Sequence, residues 1–127
     1  MDSYLLDTHV LLWWLDDPEL LSELARSAIT EPDNRAIVSI ASVWEIAIKT
    51  ALGKLEAPDD LEDMIEDAGF ELMSIIYPHA WTVKNLPLDT HRDPFDRLLV
   101  AQAKVEGLTL ITRDAHLGIY GVPIIEA

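Results

Sequence analysis

The sequence predicts an α/β fold in which helices cover both faces of a mostly parallel sheet of about four to five short strands. Short apolar runs alternate with helical stretches along the whole chain, the pattern of strands buried on both faces and joined by helical crossovers. With 127 residues, half of them hydrophobic, the chain is the size of one compact domain with a substantial core, so a single domain spanning residues 1–127 is expected.

The elements follow in order. Tyr4, Leu5 and Leu6 form an apolar run that stops at Asp7, and Thr8 to Leu15 reads as a helix ended by Asp16, Asp17 and Pro18. Ser22 to Thr30 supplies a second helix, closed by Pro32 and the turn formers Asp33 and Asn34. Ala36, Ile37 and Val38 make a second strand running into a helix from about Ile40 to Leu52, with Gly53 at its C-terminal end. Pro58, Asp59 and Asp60 open an acidic amphipathic helix carrying Leu61, Met64, Ile65 and Ala68, stopped by Gly69. Phe70 to Ile75 is strand-like, and Pro78 to Leu86 is a helix ended by Pro87. After a polar loop, Pro94 starts a long helix through Glu106 that Gly107 terminates. Leu108 to Thr112 is the clearest strand, and a last one follows Gly121 and Pro123 through Ile124 and Ile125.

In a parallel sheet, ligands bind beyond the carboxyl ends of the strands. Four acids from four separate stretches belong at that edge by connectivity. Asp7 follows the first strand and Asp114 the fourth; Glu45 lies early in the helix after the second strand, and Asp96 in the first turn of a helix returning to a strand. Carboxylates are hard ligands suited to Mg²⁺ or Mn²⁺, and an ion held by several of them can activate water against a phosphodiester. Each acid also has a bland explanation, since carboxylates near helix N-termini gain roughly 0.3–1 kcal/mol. Ser42 and Glu45 match a Ser-x-x-Glu capping box, with Ser39 as the alternative cap, and Glu45 stands four residues before Lys49. Asp93 before Pro94 reads as a helix cap. Dipole complementarity explains each acid alone, not why four should meet; such a cluster repels itself unless a cation compensates.

The remaining polar residues near these loops are less specific. Thr8 and Thr112 flank the acids with hydroxyls that suit a supporting role, and Arg97 and Arg113 stand beside them, where they would contact a phosphate or form surface ion pairs. His9, His91 and His116 read as loop histidines rather than ligands. Val10, Leu11, Leu12, Trp13, Trp14 and Leu15 are apolar around a whole helix, so that helix is either packed on two sides or offers an apolar docking patch. Trp44, Trp81 and Met73 are expected to line the core or a groove.

The absence of cysteine excludes disulfides and thiolate metal sites. No apolar run approaches the roughly 18–20 residues of a membrane span, and Met1, Asp2, Ser3 lacks a basic leader, so a cytoplasmic location is expected. The net charge of −14 opposes direct docking on phosphates, but a cation filling an acid cluster becomes the largest local positive charge. It also favours basic partners.

Read together, LLDTHVLLWW, SVWEIAIK, HRDPFDRLLVAQA and LTLITRDAHL closely resemble the PIN-domain family, and within it the VapC-type toxins of toxin–antitoxin pairs, over the whole chain and in the same order. The resemblance implies a three-layer α/β/α sandwich and a metal-dependent ribonuclease that hydrolyses RNA phosphodiesters to 5′-phosphate and 3′-hydroxyl ends. By motif, Asp7, Glu45, Asp96 and Asp114 are the acids that bind one or two Mg²⁺ or Mn²⁺ ions, and Thr112 matches a hydroxyl position near the metal. It further implies inhibition by a cognate antitoxin whose basic tail lies over the site, and a homodimer or toxin–antitoxin hetero-oligomer. Two alternatives remain at this point: a non-catalytic acidic module binding a basic peptide, and a metal-dependent nuclease acting outside any toxin–antitoxin pair. A phosphoacceptor receiver domain is disfavoured because Ile76 and Tyr77, not an acid, follow the third strand. A haloacid-dehalogenase-type phosphatase is disfavoured because His9 stands where its second Asp would be.

Overall fold

A computed structural model describes residues 1–87 and 93–127. Five strands form one parallel sheet: β1 (Ser3–Leu6), β2 (Arg35–Ser39), β3 (Glu71–Met73), β4 (Thr109–Thr112) and β5 (Ile124–Glu126), in the spatial order β3-β2-β1-β4-β5. All four pairings are parallel, with Leu6 level with Val38 on one side and Ile111 on the other. The helices are α1 (Thr8–Asp16), α2 (Glu23–Thr30), α3 (Ile40–Ala51), α4 (Leu61–Asp67), α5 (Tyr77–Thr82) and α6 (Pro94–Glu106).

The middles of β1, β2 and β4 are apolar because successive residues serve two cores. Leu5, Ile37 and Leu110 belong to the layer packed by Leu99, Val100 and Ala103 of α6; Leu6, Val38 and Ile111 belong to the opposite layer with Val10, Leu11, Ala25 and Ile65 from α1, α2 and α4. A strand's side chains alternate between its faces, so a central strand covered by helices on both sides has no place for a polar residue.

Local signals set most boundaries. The Asp7, Ser22, Ser39 and Asp93 side chains accept bonds from backbone N–H groups in the first turns of α1, α2, α3 and α6. Gly107 ends α6 in the left-handed region at φ 69°, where a side chain would be strained.

The structure departs from expectation in several places. Ser39, not Ser42, caps α3; Ser42 Oγ is buried without a hydrogen-bond partner. The acidic helix begins at Leu61 rather than at Pro58, and Asp60 makes no side-chain cap. The predicted Pro78–Leu86 helix is α5 followed by a 3₁₀ turn at Val83–Asn85, and further 3₁₀ turns occur at Pro18–Leu20 and Ala115–Tyr120. Trp44 and Trp81 are exposed rather than core or groove lining: Trp44 meets Phe95 edge-on at 5.0 Å, and Trp81 stacks on Tyr77. Met73 is partly buried against the α6 layer, as expected. Trp14 packs on Phe70, and Trp13 and Trp14 are half-buried, so α1 serves both the core and an open groove.

One buried polar cluster has no local sequence signature. His79 of α5 accepts from the Ile76 N–H at Nδ1, which leaves Nε2 to donate to Glu106 at 2.9 Å, and Gln102 stands 3.2 Å from Nδ1. These bonds tie α5 to α6. No described helix is long and apolar enough to cross a membrane.

Candidate metal centre

The strand order turns at β1, whose neighbours β2 and β4 lead to opposite halves of the sheet. A crevice opens at such a point beyond the carboxyl ends of the strands. Asp7 extends β1 by one residue, its N–H donating to the Ile111 carbonyl at 3.0 Å. That pairing puts its carboxylate beside the end of β4, where Thr112 and Arg113 stand. Oδ1 of Asp7 accepts from the Val10 N–H at 2.8 Å and Oδ2 from the Arg113 N–H at 3.3 Å. Thr112 links the two acids of this corner: it hydrogen-bonds Asp7 and accepts from the Asp114 N–H at 3.0 Å.

Asp7 and Glu45 are each only 4% exposed. Burial pushes the Asp7 carboxyl above its ordinary range, outweighing the bonds from Thr112 and Val10 and the attraction of His9 that favour its charged form. Glu45 is held differently. The Thr8 hydroxyl donates to Oε1, and Lys49, one turn later on α3, donates to Oε2 at 2.6 Å.

A cavity of about 140 Å³ is lined by Asp7, Thr8, His9, Glu45, Lys49, Asp93, Asp96, Arg113 and Asp114. All four acids singled out from the sequence therefore meet there, together with Thr8 and Arg113. Asp93 joins them while capping α6, its Oδ1 accepting from Phe95 and Asp96 N–H groups. Asp114 likewise serves the 3₁₀ turn after β4 by accepting from the His116 N–H.

Arg97 departs from expectation. Its guanidinium is buried away from the cavity, donating to the carbonyls of Leu86 and Pro87 and to Tyr120 Oη, so it is a structural clamp rather than a phosphate contact. His9 lines the cavity, with burial and then the Arg113 guanidinium holding its imidazole below the usual histidine range. His116 is exposed, and His91 lies outside the described residues. Lys49 is the cavity residue that sequence reasoning passes over. Its signal is the four-residue spacing from Glu45, which by itself indicates no more than a helix ion pair.

Among the described residues, five carboxylates against Lys49 and Arg113 give the cavity lining a formal charge of −3, five negative less two positive. The donor set is all oxygen from acids and hydroxyls, which fits a hard divalent cation. As the side chains stand, no three His, Asp or Glu among the described residues come close enough together to hold one ion. Glu45 is held by the Lys49 ammonium on Oε2.

A second, larger cavity of about 630 Å³ adjoins the first through His9. It is lined mainly by apolar groups, among them Leu12, Trp13, Leu55 and Met64, with Asp16 and Glu56 as its acids.

Comparison with known proteins gives three results. A family model described as the PIN domain matches residues 4–122. The chain is 34% identical over 124 residues to ribonuclease VapC22 of Mycobacterium tuberculosis, covering 92% of this chain and 91% of that protein. Among solved structures it is similar to VapBC2 from Rickettsia felis bound to a promoter DNA fragment, with a TM-score of 0.74, 14% identity and 98% of each chain covered. It is also similar to DNA-bound VapBC from Salmonella typhimurium, with a TM-score of 0.73, 18% identity and 99% and 98% covered. At these identities the structural likenesses establish the fold.

Proposed function

Because the chain belongs to the PIN-domain family, we propose that it is a divalent-metal-dependent endoribonuclease that acts as the toxin of a toxin–antitoxin pair. The observation that carries this reading is the convergence of Asp7, Glu45, Asp96 and Asp114, from four separate stretches of sequence, on one cavity at the carboxyl edge of the sheet. Their relative VapC22 is named a ribonuclease.

In this reading Asp7, Asp96 and Asp114 hold Mg²⁺ or Mn²⁺, with Glu45 as the fourth ligand or the holder of a second ion. A bound ion would supply Lewis-acid activation of water and offset the negative charge developing on the phosphoryl oxygens. The chain's own residues do the rest. Thr112 orients Asp7 and Asp114 together through its hydroxyl, and Thr8 fixes Glu45. Arg113 faces the cavity mouth as a cation for the RNA backbone. Burial and the Arg113 guanidinium favour the neutral form of His9. The products are a 5′-phosphate and a 3′-hydroxyl, and the reaction belongs in the cytoplasm.

The partner reading rests on the second cavity. An apolar groove containing Trp13, bordered by Asp16 and Glu56 and sharing His9 with the acid cavity, suits an amphipathic segment followed by a basic tail. An antitoxin of that character would cover the substrate path. Structural neighbours from Rickettsia felis and Salmonella typhimurium are named as VapBC complexes.

One observation favours the non-catalytic alternative, a module binding a basic peptide: the acids do not enclose a single ion as they stand. Purified protein with single-stranded RNA and Mg²⁺ or Mn²⁺ decides between them. Wild type should cleave, chelator should stop it, and Asp96→Asn should lose at least about a hundredfold in rate, the scale of removing one charge-stabilising group. Sequencing the ends identifies the phosphate. If Asp96→Asn cuts as fast as wild type, the assignment fails.

A further inference from the structure

The contact between Lys49 and Glu45 opposes the metal reading as it stands. Both Glu45 oxygens are occupied, Oε1 by the Thr8 hydroxyl and Oε2 by the Lys49 ammonium at 2.6 Å. Each oxygen keeps a second lone pair, but an ammonium at 2.6 Å repels a divalent ion on the same carboxylate, so Glu45 serves an ion better once Lys49 has moved away. The two partners differ in freedom: the Glu45 side chain is 5% exposed, whereas that of Lys49 is 36% exposed. The acid is fixed in the wall, and the ammonium sits at the opening on a flexible four-carbon stem with three donors.

The surroundings keep that ammonium charged and inside the cavity. Its 2.6 Å bond to Glu45 anchors it, and the Asp93 and Asp96 carboxylates line the same cavity. Lys49 and Arg113 are the two lysine or arginine side chains lining the cavity among the described residues. Their charge also sets the conditions for a phosphate. One divalent ion would reduce the cavity's formal charge from −3 to −1, still repelling an incoming phosphate. Turning a cation already present from a carboxylate toward that phosphate meets the repulsion without importing further charge.

Resting on the nuclease reading above, we propose that Lys49 is an exchangeable cation: in the RNA-free protein its ammonium holds Glu45, and when RNA binds it passes to a phosphate oxygen of the backbone and frees Glu45 for the metal. Lys49 is thus a substrate-binding residue that also restrains a metal ligand. Metal and RNA then bind cooperatively, and by linkage each must raise the affinity of the other by the same factor.

The exchange predicts effects of opposite sign, which a merely structural lysine would not produce. In Lys49→Met, calorimetric titration of the RNA-free protein with Mn²⁺ should show affinity raised about fivefold or more, because Glu45 is no longer held. The KM for a mixed-sequence single-stranded RNA should rise about tenfold, and the slope of log(kcat/KM) against log salt should flatten by about 0.7, the loss of one phosphate contact on a single strand. Lys49→Arg should restore the salt slope. Lys49→Gln, which retains a long polar stem without charge, should follow Lys49→Met and carries the same two readings if the methionine variant folds poorly.

Unchanged or weaker Mn²⁺ binding in the uncharged variants overturns the exchange, as does tighter Mn²⁺ binding with KM and salt slope unaltered. A wild-type protein that neither binds Mn²⁺ nor cleaves RNA removes the nuclease reading itself, and this inference with it.

Discussion

Asp7→Asn separates the two demands on this carboxylate, because asparagine keeps the shape and the α1 cap while removing the buried charge. Its Oδ1 can still accept the 2.8 Å bond from Val10, whereas the long 3.3 Å bond from Arg113 to Oδ2 is lost. Burial raises the Asp7 carboxyl above the ordinary aspartate value of 3.8, so the charged form is worse accommodated in the fold than in the unfolded chain. Between 3.8 and the raised folded value the native state holds the more protons. Stability therefore falls as pH rises through that window and is level above it. Removing that buried charge outweighs the loss of the long bond, so we expect metal-free Asp7→Asn to be more stable than wild type at neutral pH. At about 0.7 kcal/mol per residue, unfolding 127 residues takes on the order of 90 kcal/mol, so 1 kcal/mol moves Tm by about 4 °C. Calorimetric melts in chelator should show that advantage at pH 7 and its disappearance near pH 3.5. With Mn²⁺ at a hundred times its Kd the order should reverse, wild type gaining about 2.7 kcal/mol, or ~10 °C, and the variant little. An Asp7→Asn protein that melts below wild type in chelator at pH 7 would refute the argument.

The two arginines beside the site acids should behave oppositely. Arg97→Met strands the Leu86 and Pro87 carbonyls and Tyr120 Oη and should lose about 2–3 kcal/mol in urea unfolding, whereas exposed Arg113→Met should change stability by less than about 0.5 kcal/mol while raising KM for RNA. Equal stability losses would show that Arg97 is not the clamp. Asp93→Ala should lose the α6 cap, about 1 kcal/mol by thermal melt, yet retain most cleavage; an Asp93→Ala protein as inactive as Asp96→Asn would make Asp93 a fifth essential acid.

The sequence by itself determined the layers, because continuous apolar runs such as Tyr4–Leu6 and Leu108–Ile111 are tolerated only in strands covered on both faces. It also determined which acids belong to the carboxyl edge, since strand–helix connectivity alone puts Asp7, Glu45, Asp96 and Asp114 at that end of their elements. Caps and glycine stops were legible for the same reason: they act within a few residues of their own position.

What depended on distant residues was decided only by the tertiary structure. Arg97 and Arg113 look alike beside their acids, yet the phase of α6 turns the first inward onto Tyr120, whereas the second, in the turn after β4, lines the cavity. Trp44 and Trp81 carry the composition of a core yet lie outside it, because the faces of α3 and α5 that bear them meet no further layer. The spacing of Glu45 and Lys49 announced an ion pair; only the approach of Thr8 from α1, 37 positions away in sequence, shows that the carboxylate is held on both oxygens. Local chemistry names the groups that can meet, and the register of packed elements decides which of them do.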